Sequence, residues 1–182
     1  MKNLLKLLLL FLVCYLPLEA KEPKKKVCFI VNPISGVGKQ KKIEKLIKRN
    51  LNLSEFSYEV HYTKRPKHAT ELSHRAVLEG AQIIVAVGGD GSVNEVAQGM
   101  IGSQVALAII PTGSGNGFAR YFDIPTDPAE AIQVINGLHD QWIDTVKINQ
   151  ESYIGVAGIG FDADVSLAFS TLEKRGPASY LR

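Results

Sequence analysis

The stretch AQIIVAVGGDGSVNEVAQGM, residues 81–100, decides how the chain is read. AQIIVAV is an apolar run of strand length, hydrophobic enough to be covered on both faces, as parallel strands are. Glycines and one aspartate follow at once. Val93, Val96, Ala97 and Met100 then recur at helical spacing, so a helix is expected from about Ser92. Gly88, Gly89 and Gly91 strip side chains from the turn and let another group approach the backbone. Asp90 is the only charge in that gap. A strand ending in bare backbone, with a helix N-terminus behind it, suits phosphate chemistry.

The flanking sequence repeats the alternation. VCFIV (27–31) is a buried-strand run closed by Asn32-Pro33, and GKQKKIEKLIKRNL (38–51) places Ile43, Leu46, Ile47 and Leu51 at helical spacing. SYEVHYT (57–63) is a second strand. HATELSHRAVLEG (68–80) is a helix with Ala69, Leu72, Ala76 and Leu78 assigned to one face and Gly80 as its stop. VALAII (105–110) is a fourth strand cut by Pro111, and DPAEAIQVINGLH (127–139) a helix with Asp127 as N-cap and Pro128 first. This order predicts an α/β fold over residues 27–140, a Rossmann-like parallel sheet with helices on both faces.

After Asp140 the pattern changes. WIDTVKIN (142–149) and SYIGVAGIGF (152–161) are strand-like, with a turn at 149–151 and no helix between them. Residues 141–182 therefore read as the incomplete start of a β-rich second domain, with Trp142 and Phe161 assigned to its core.

Hydrophobic residues make up 46% and charged residues 21%, an ordinary globular balance, and a net charge of +3 does not point to nucleic acid. The lysines of residues 39–49 read as the solvated face of a helix, and KEPKKK (21–26) suits either solvent or anionic headgroups. Cys14 and Cys28 show no metal-like spacing and no disulfide framework, which fits a reduced compartment. Residues 1–26 carry a basic start and an apolar run at 7–16. They read equally as a signal peptide, a membrane-surface anchor, or an extension upstream of the domain.

Three loops leave strand ends rich in Gly, Asn, Ser and Thr: NPISGVGK, GGDGSVNE and PTGSGNG. In a parallel sheet ligands bind at these ends. The loops do not fit the commonest phosphate patterns. NPISGVGK lacks the first P-loop glycine and has Gln40 where a hydroxyl should hold magnesium, and no loop completes G-x-G-x-x-G.

Together they resemble another pattern. GGDGSVNEV is similar to the G-G-D-G-[ST]-x-N-E-[VI] loop of the diacylglycerol kinase catalytic-domain family, which includes bacterial lipid kinases and sphingosine and ceramide kinases. VNPISGVGK resembles its N-P-x-S-G-x-G entry and PTGSGNGFAR its P-x-G-[ST]-x-N-x-[FL]-A loop. TKRPKHATEL is similar to a segment of the sphingoid branch, and VAGIGFDADV to the opening of the second domain. Ser92 replaces the commoner Thr, and Gly117 stands where many bacterial members carry Asp.

The resemblance implies an ATP site lined by Asn32, Pro33, Ser35, Gly36 and Thr63, with Lys67 and His68 adding charge or a hydrogen bond. Gly88, Gly89, Asp90, Gly91, Ser92 and Asn94 would lie beneath the phosphates, with Ser114, Gly115 and Asn116 nearby. Asp90 is the expected catalytic residue, orienting Mg2+ or receiving the acceptor hydroxyl's proton. Asn94 and Glu95 would hold the loop or a metal-bound water, Glu95 reading equally as a favourable acid near a helix start. Asp162 and Asp164 read as headgroup contacts or solvated loop residues, and Arg175 and Arg182 as phosphate contacts only if more chain folds over them.

The implied activity is ATP-dependent transfer of the γ-phosphoryl group to a lipid hydroxyl, of diacylglycerol or a sphingoid base. The implied location is cytoplasmic, at the inner membrane surface, with a membrane lipid as partner. The alternatives are a nucleotide-binding fragment without turnover and a soluble-substrate kinase of the NAD kinase type.

Overall fold

The structure, a computed structural model, describes residues 22–35, 42–155 and 157–170. Residues 1–21, including Cys14, lie outside the described residues, as do Gly36, the helix start expected at 38–41, Arg175 and Arg182, and the side chain of Asp162.

Four parallel strands form the sheet: β1 (Lys25–Val31), β2 (Phe56–Tyr62), β3 (Ile83–Gly88) and β4 (Ala106–Pro111), in the order β2-β1-β3-β4. β1 begins two residues earlier than its apolar run because Lys25 and Lys26 still pair with Phe56 and Ser57. Past Lys26 the central strands are apolar since both faces are covered. Cys28, Ile30, Ile84, Ala86 and Ile109 face α2 (His68–Leu78) and α3 (Asp90–Met100). Val27, Phe29, Val31, Val85, Val87 and Ile110 face α1 (Ile43–Asn50) and α5 (Pro128–Gly137). A fully buried Phe29 or Ile84 contributes about 1.5–3 kcal/mol of hydrophobic stabilisation.

The helices follow their expected stripes with one exception. Ile43 and Ile47 of α1 are buried, as are Val93, Val96, Ala97 and Met100 of α3. Leu78, assigned to the buried face of α2, is instead 74% exposed. At 100° per residue it stands opposite Ala69, so the face is carried by Ala69, Leu72 and Ala76 with Ser73. Asp127 caps α5, its Oδ1 accepting from the Ala129 and Glu130 amides at 2.8 and 3.1 Å. A short helix, α4 (Gly117–Tyr121), lies between β4 and α5.

Beyond α5 a hairpin pairs β5 (Val146–Ile148) with β6 (Glu151–Tyr153), turning through Asn149 and Gln150. The strand expected over residues 152–161 stops at Tyr153 because β5 offers no partner past Val146, and α6 (Phe161–Ser170) follows instead. Trp142 and Phe161 are not core residues: they are 85% and 80% exposed, since no described element packs over them. No helix among the described residues is long and apolar enough to cross a membrane.

Candidate functional site

Four parallel strands deliver four loops to one rim. From β1 the chain crosses to β2 on one side, and from β3 it crosses to β4 on the other. The loops after β1 and β3 thus flank a crevice at the topological switch point, where open α/β sheets bind ligands.

Asn32 organises the first loop. Its backbone N–H donates to the Val87 carbonyl at 3.0 Å. Its Nδ2 donates to Ser92 Oγ at 3.0 Å, and its Oδ1 accepts from the Ile34 amide at 3.1 Å. The amide nitrogen thereby ties the β1 loop to α3, while the amide oxygen braces the loop itself. Ser35 Oγ shares a hydrogen with Thr112 Oγ1 at 2.8 Å, joining the loops after β1 and β4 across β3. Pro33 and Ile34 are exposed at the rim.

Two close approaches explain the glycines. A Cβ at Gly88 would overlap Ser92, so the first turn of α3 can fold over the strand end only if this residue lacks a side chain. A Cβ at Gly113 would lie 2.6 Å from Gly89 Cα and 2.8 Å from Asn116 Oδ1, so the loops after β3 and β4 meet backbone to backbone. α3 begins at Asp90 rather than Ser92, because the Gly89 carbonyl already accepts from the Ser92 and Val93 amides at 2.9 and 3.1 Å. Gly89 is its N-cap, with no side chain capping the helix end. The Asp90 and Gly91 N–H groups precede the first bonds of the helix and, with the helix dipole, favour an anion.

Asp90 is exposed, yet held. Its Oδ2 accepts from the Gly117 amide at 3.1 Å and its Oδ1 from the Phe118 amide at 3.0 Å, so it spans the starts of α3 and α4. Each carboxylate oxygen retains further lone-pair capacity. Asn116 is buried in a left-handed conformation, with Nδ2 donating to the Gly113 carbonyl at 2.8 Å and Oδ1 buried without a hydrogen-bond partner. Gly115 is positioned through its carbonyl, which accepts from Arg120 Nε at 2.9 Å, and Ser114 is exposed beside it.

Thr63 extends the β1–β2 ladder, its N–H donating to the Val31 carbonyl at 2.9 Å. His68 Nδ1 accepts from the Lys64 amide at 3.1 Å, and Lys67 takes a left-handed conformation just before α2. Arg65 grips Glu71 with two 2.8 Å hydrogen bonds, which hold that carboxyl below its ordinary range.

The rim therefore gathers Asn32, Pro33, Ser35, Thr63, Gly88–Ser92 and Ser114–Asn116. Asn94 and Glu95 lie past the first turn of α3. Asn94 Oδ1 accepts from the Ile154 amide at 3.0 Å, and the Glu95 carbonyl accepts from Thr70 Oγ1 at 2.8 Å, so both tie α3 to its neighbours. Sequence reasoning passed over Thr112 and Arg120. The signal was present in PTGSGNGFAR, but the glycines and asparagine drew the weight.

The rim offers bare backbone and a helix N-terminus, features that suit phosphate, beside one oxygen-donor anion. Magnesium takes hard oxygen ligands and uses one or two carboxylates beside substrate phosphates, so Asp90 with its remaining lone pairs fits such an ion.

A model of the diacylglycerol kinase catalytic domain matches residues 26–148. An uncharacterized protein from Synechocystis sp. is 36% identical over 149 residues, covering 75% of this chain and 34% of its own length. A diacylglycerol kinase from Staphylococcus carnosus is 30% identical over 161 residues, covering 86% of this chain and 53% of its own. The crystal structure of a diacylglycerol kinase from Bacillus anthracis superposes with a TM-score of 0.63 at 27% identity, covering 82% of this chain and 54% of that one. The chain spans about half the length of these kinases.

Proposed function

We propose that this chain, which belongs to the diacylglycerol kinase catalytic-domain family, is the nucleotide-binding part of an ATP-dependent lipid kinase. It would move the γ-phosphoryl group to the hydroxyl of a membrane lipid, diacylglycerol or a sphingoid base. The observation that carries this reading is the cross-tied rim: Asn32 to Ser92, Ser35 to Thr112, and Gly89 against Gly113. Hydrogen bonds and a steric fit hold three loops in place before any ligand arrives, the preorganisation that phosphoryl transfer needs.

The bare N-terminus of α3 receives phosphate oxygens at exposed Gly91, where an added Cβ would meet nothing, while Gly88, Gly89 and Gly113 let the loops beneath pack closely. Asp90 works at the acceptor oxygen, its orientation set by the two amides of α4. It accepts the hydrogen of the lipid hydroxyl while that oxygen bonds to phosphorus and the bond to the ADP oxygen breaks. The same carboxylate is the donor that would hold magnesium, which when bound supplies neutralisation of phosphate charge. The lipid substrate and cytosolic ATP place the reaction at the inner membrane surface, with no nucleic-acid partner.

Asp90→Asn tests the assignment. It keeps one acceptor oxygen and removes the charge, so lipid phosphorylation should fall roughly 10²–10⁴-fold with the circular dichroism spectrum and ATP binding intact. Full turnover in that variant removes Asp90 from the chemistry. Labelled ATP offered to diacylglycerol, sphingoid base and NAD identifies the acceptor. Exclusive labelling of NAD ends the lipid reading, and ATP binding without any labelled product marks a nucleotide-binding unit alone.

A further inference from the structure

Away from the rim, the edge of the sheet brings together three different metal-ligating side chains. Cys28 on β1 pairs in register with Glu59 on β2, and His61 follows two residues later on the same face. The Cys28 sulfur, a Glu59 carboxylate oxygen and a His61 ring nitrogen all lie within 4.8 Å of one another. Glu59 Oε1 is buried and accepts no hydrogen bond, although Lys26 Nζ stands 3.3 Å and His61 Nε2 3.7 Å away. Cys28 is fully buried, while Glu59 and His61 are half-buried, and an open pocket beside His61 is lined by Lys64, His68 and Arg75.

We propose that Cys28, Glu59 and His61 form a binding site for a borderline-soft divalent cation of the zinc or cobalt type. Thiolate, imidazole and carboxylate are the ligands such ions take in tetrahedral sites, with a fourth position open to water. Ligand atoms around zinc stand roughly 3.5 Å apart, so the trio closes by about 1 Å through side-chain rotation at an edge strand. Magnesium and calcium prefer all-oxygen sites and are disfavoured by the sulfur. Burial pushes the Cys28 thiol up to about 12, with the Glu59 carboxylate adding to the rise, so an entering cation has to displace a firmly held proton. Lys26, also 3.9 Å from Glu79, is the competing cation for Glu59. Arg75 on α2 and Lys64 add positive charge at the opening. A bound ion would pin edge strand β2 to β1.

Titrating the full chain with Co2+ in a Cys14→Ser background tests this, since Cys28 is then the only thiol. The expected result is a thiolate-to-cobalt absorption band saturating at one equivalent and displaced by Zn2+. His61→Ala, at a half-exposed position that should fold, weakens binding at least about tenfold. Lys26→Met strengthens it by removing the competitor, and His139→Ala leaves it unchanged. No thiolate band at one equivalent, or His61→Ala binding as tightly as its parent, overturns the proposal.

Discussion

Residues 25–137 and residues 141–170 both carry short apolar runs, and the two stretches use them differently. In the first, Val27, Phe29 and Val85 are completely buried. In the second, Val146 is 46% exposed, Ile148 52% and Ile159 94%. Four parallel strands with helices on two sides have an inside. A two-stranded ribbon does not, because a hairpin alone cannot cover either of its faces. Among the described residues of the second stretch, only Ile154 joins the core, held by the Asn94 side chain and by Gln98 Nε2 donating to the Ser152 carbonyl at 3.0 Å. Apolar character therefore becomes stability only where topology supplies a second layer.

Cutting the comparison at its strongest point gives the largest effect. Phe29→Ala should destabilise the chain by about 3–5 kcal/mol in urea unfolding, whereas Trp142→Ala should stay within about 0.5 kcal/mol. A Trp142→Ala cost near that of Phe29→Ala would mean the second stretch has a core of its own.

The joint between the stretches comes next. Asn94→Ala removes the acceptor of the Ile154 amide and should loosen the hairpin by about 1 kcal/mol. Hydrogen exchange should quicken at Ile154 while β3 keeps its protection. Unchanged exchange at Ile154 would show that something else anchors the hairpin.

The smallest effect lies on the surface of the first stretch. Tyr62 Oη donates to Glu44 Oε1 at 2.6 Å, and this bond first, then burial, raises the phenol from 10.0 to about 12. A raised folded value means that the contribution is complete below pH 10 and is lost as pH climbs through about 12. Tyr62 is 40% exposed, so solvent screening leaves less than about 0.5 kcal/mol. Tyr62→Phe should erase the difference in melting temperature from the parent once pH exceeds the raised value, and a difference that persists would assign the effect to packing.

Much of this was legible from the chain alone. Apolar runs and 3.6-residue stripes located every strand of the first stretch and every helix but the five-residue α4, since a two-faced sheet and a half-buried helix each impose a period on the sequence. The loops were legible too, because glycine, asparagine and serine accumulate where backbone must be bared. Leu78 misled, as a hydrophobic residue near the end of a stripe carries no mark of the side it faces. Trp142 and Phe161 misled for a related reason: large apolar residues signal a core only where another layer exists to cover them.

Local pattern determined the alternation of strand and helix, the cap at Asp127, and the presence of a charge among glycines, because these depend on residues close in the chain. Only the tertiary structure decided that Ser35 meets Thr112, that Asp90 spans to Gly117 and Phe118, and that Cys28 stands beside Glu59 and His61. Those partners lie 77, 27 and about 30 residues apart in sequence, and the parallel crossovers alone bring them to one rim or one edge.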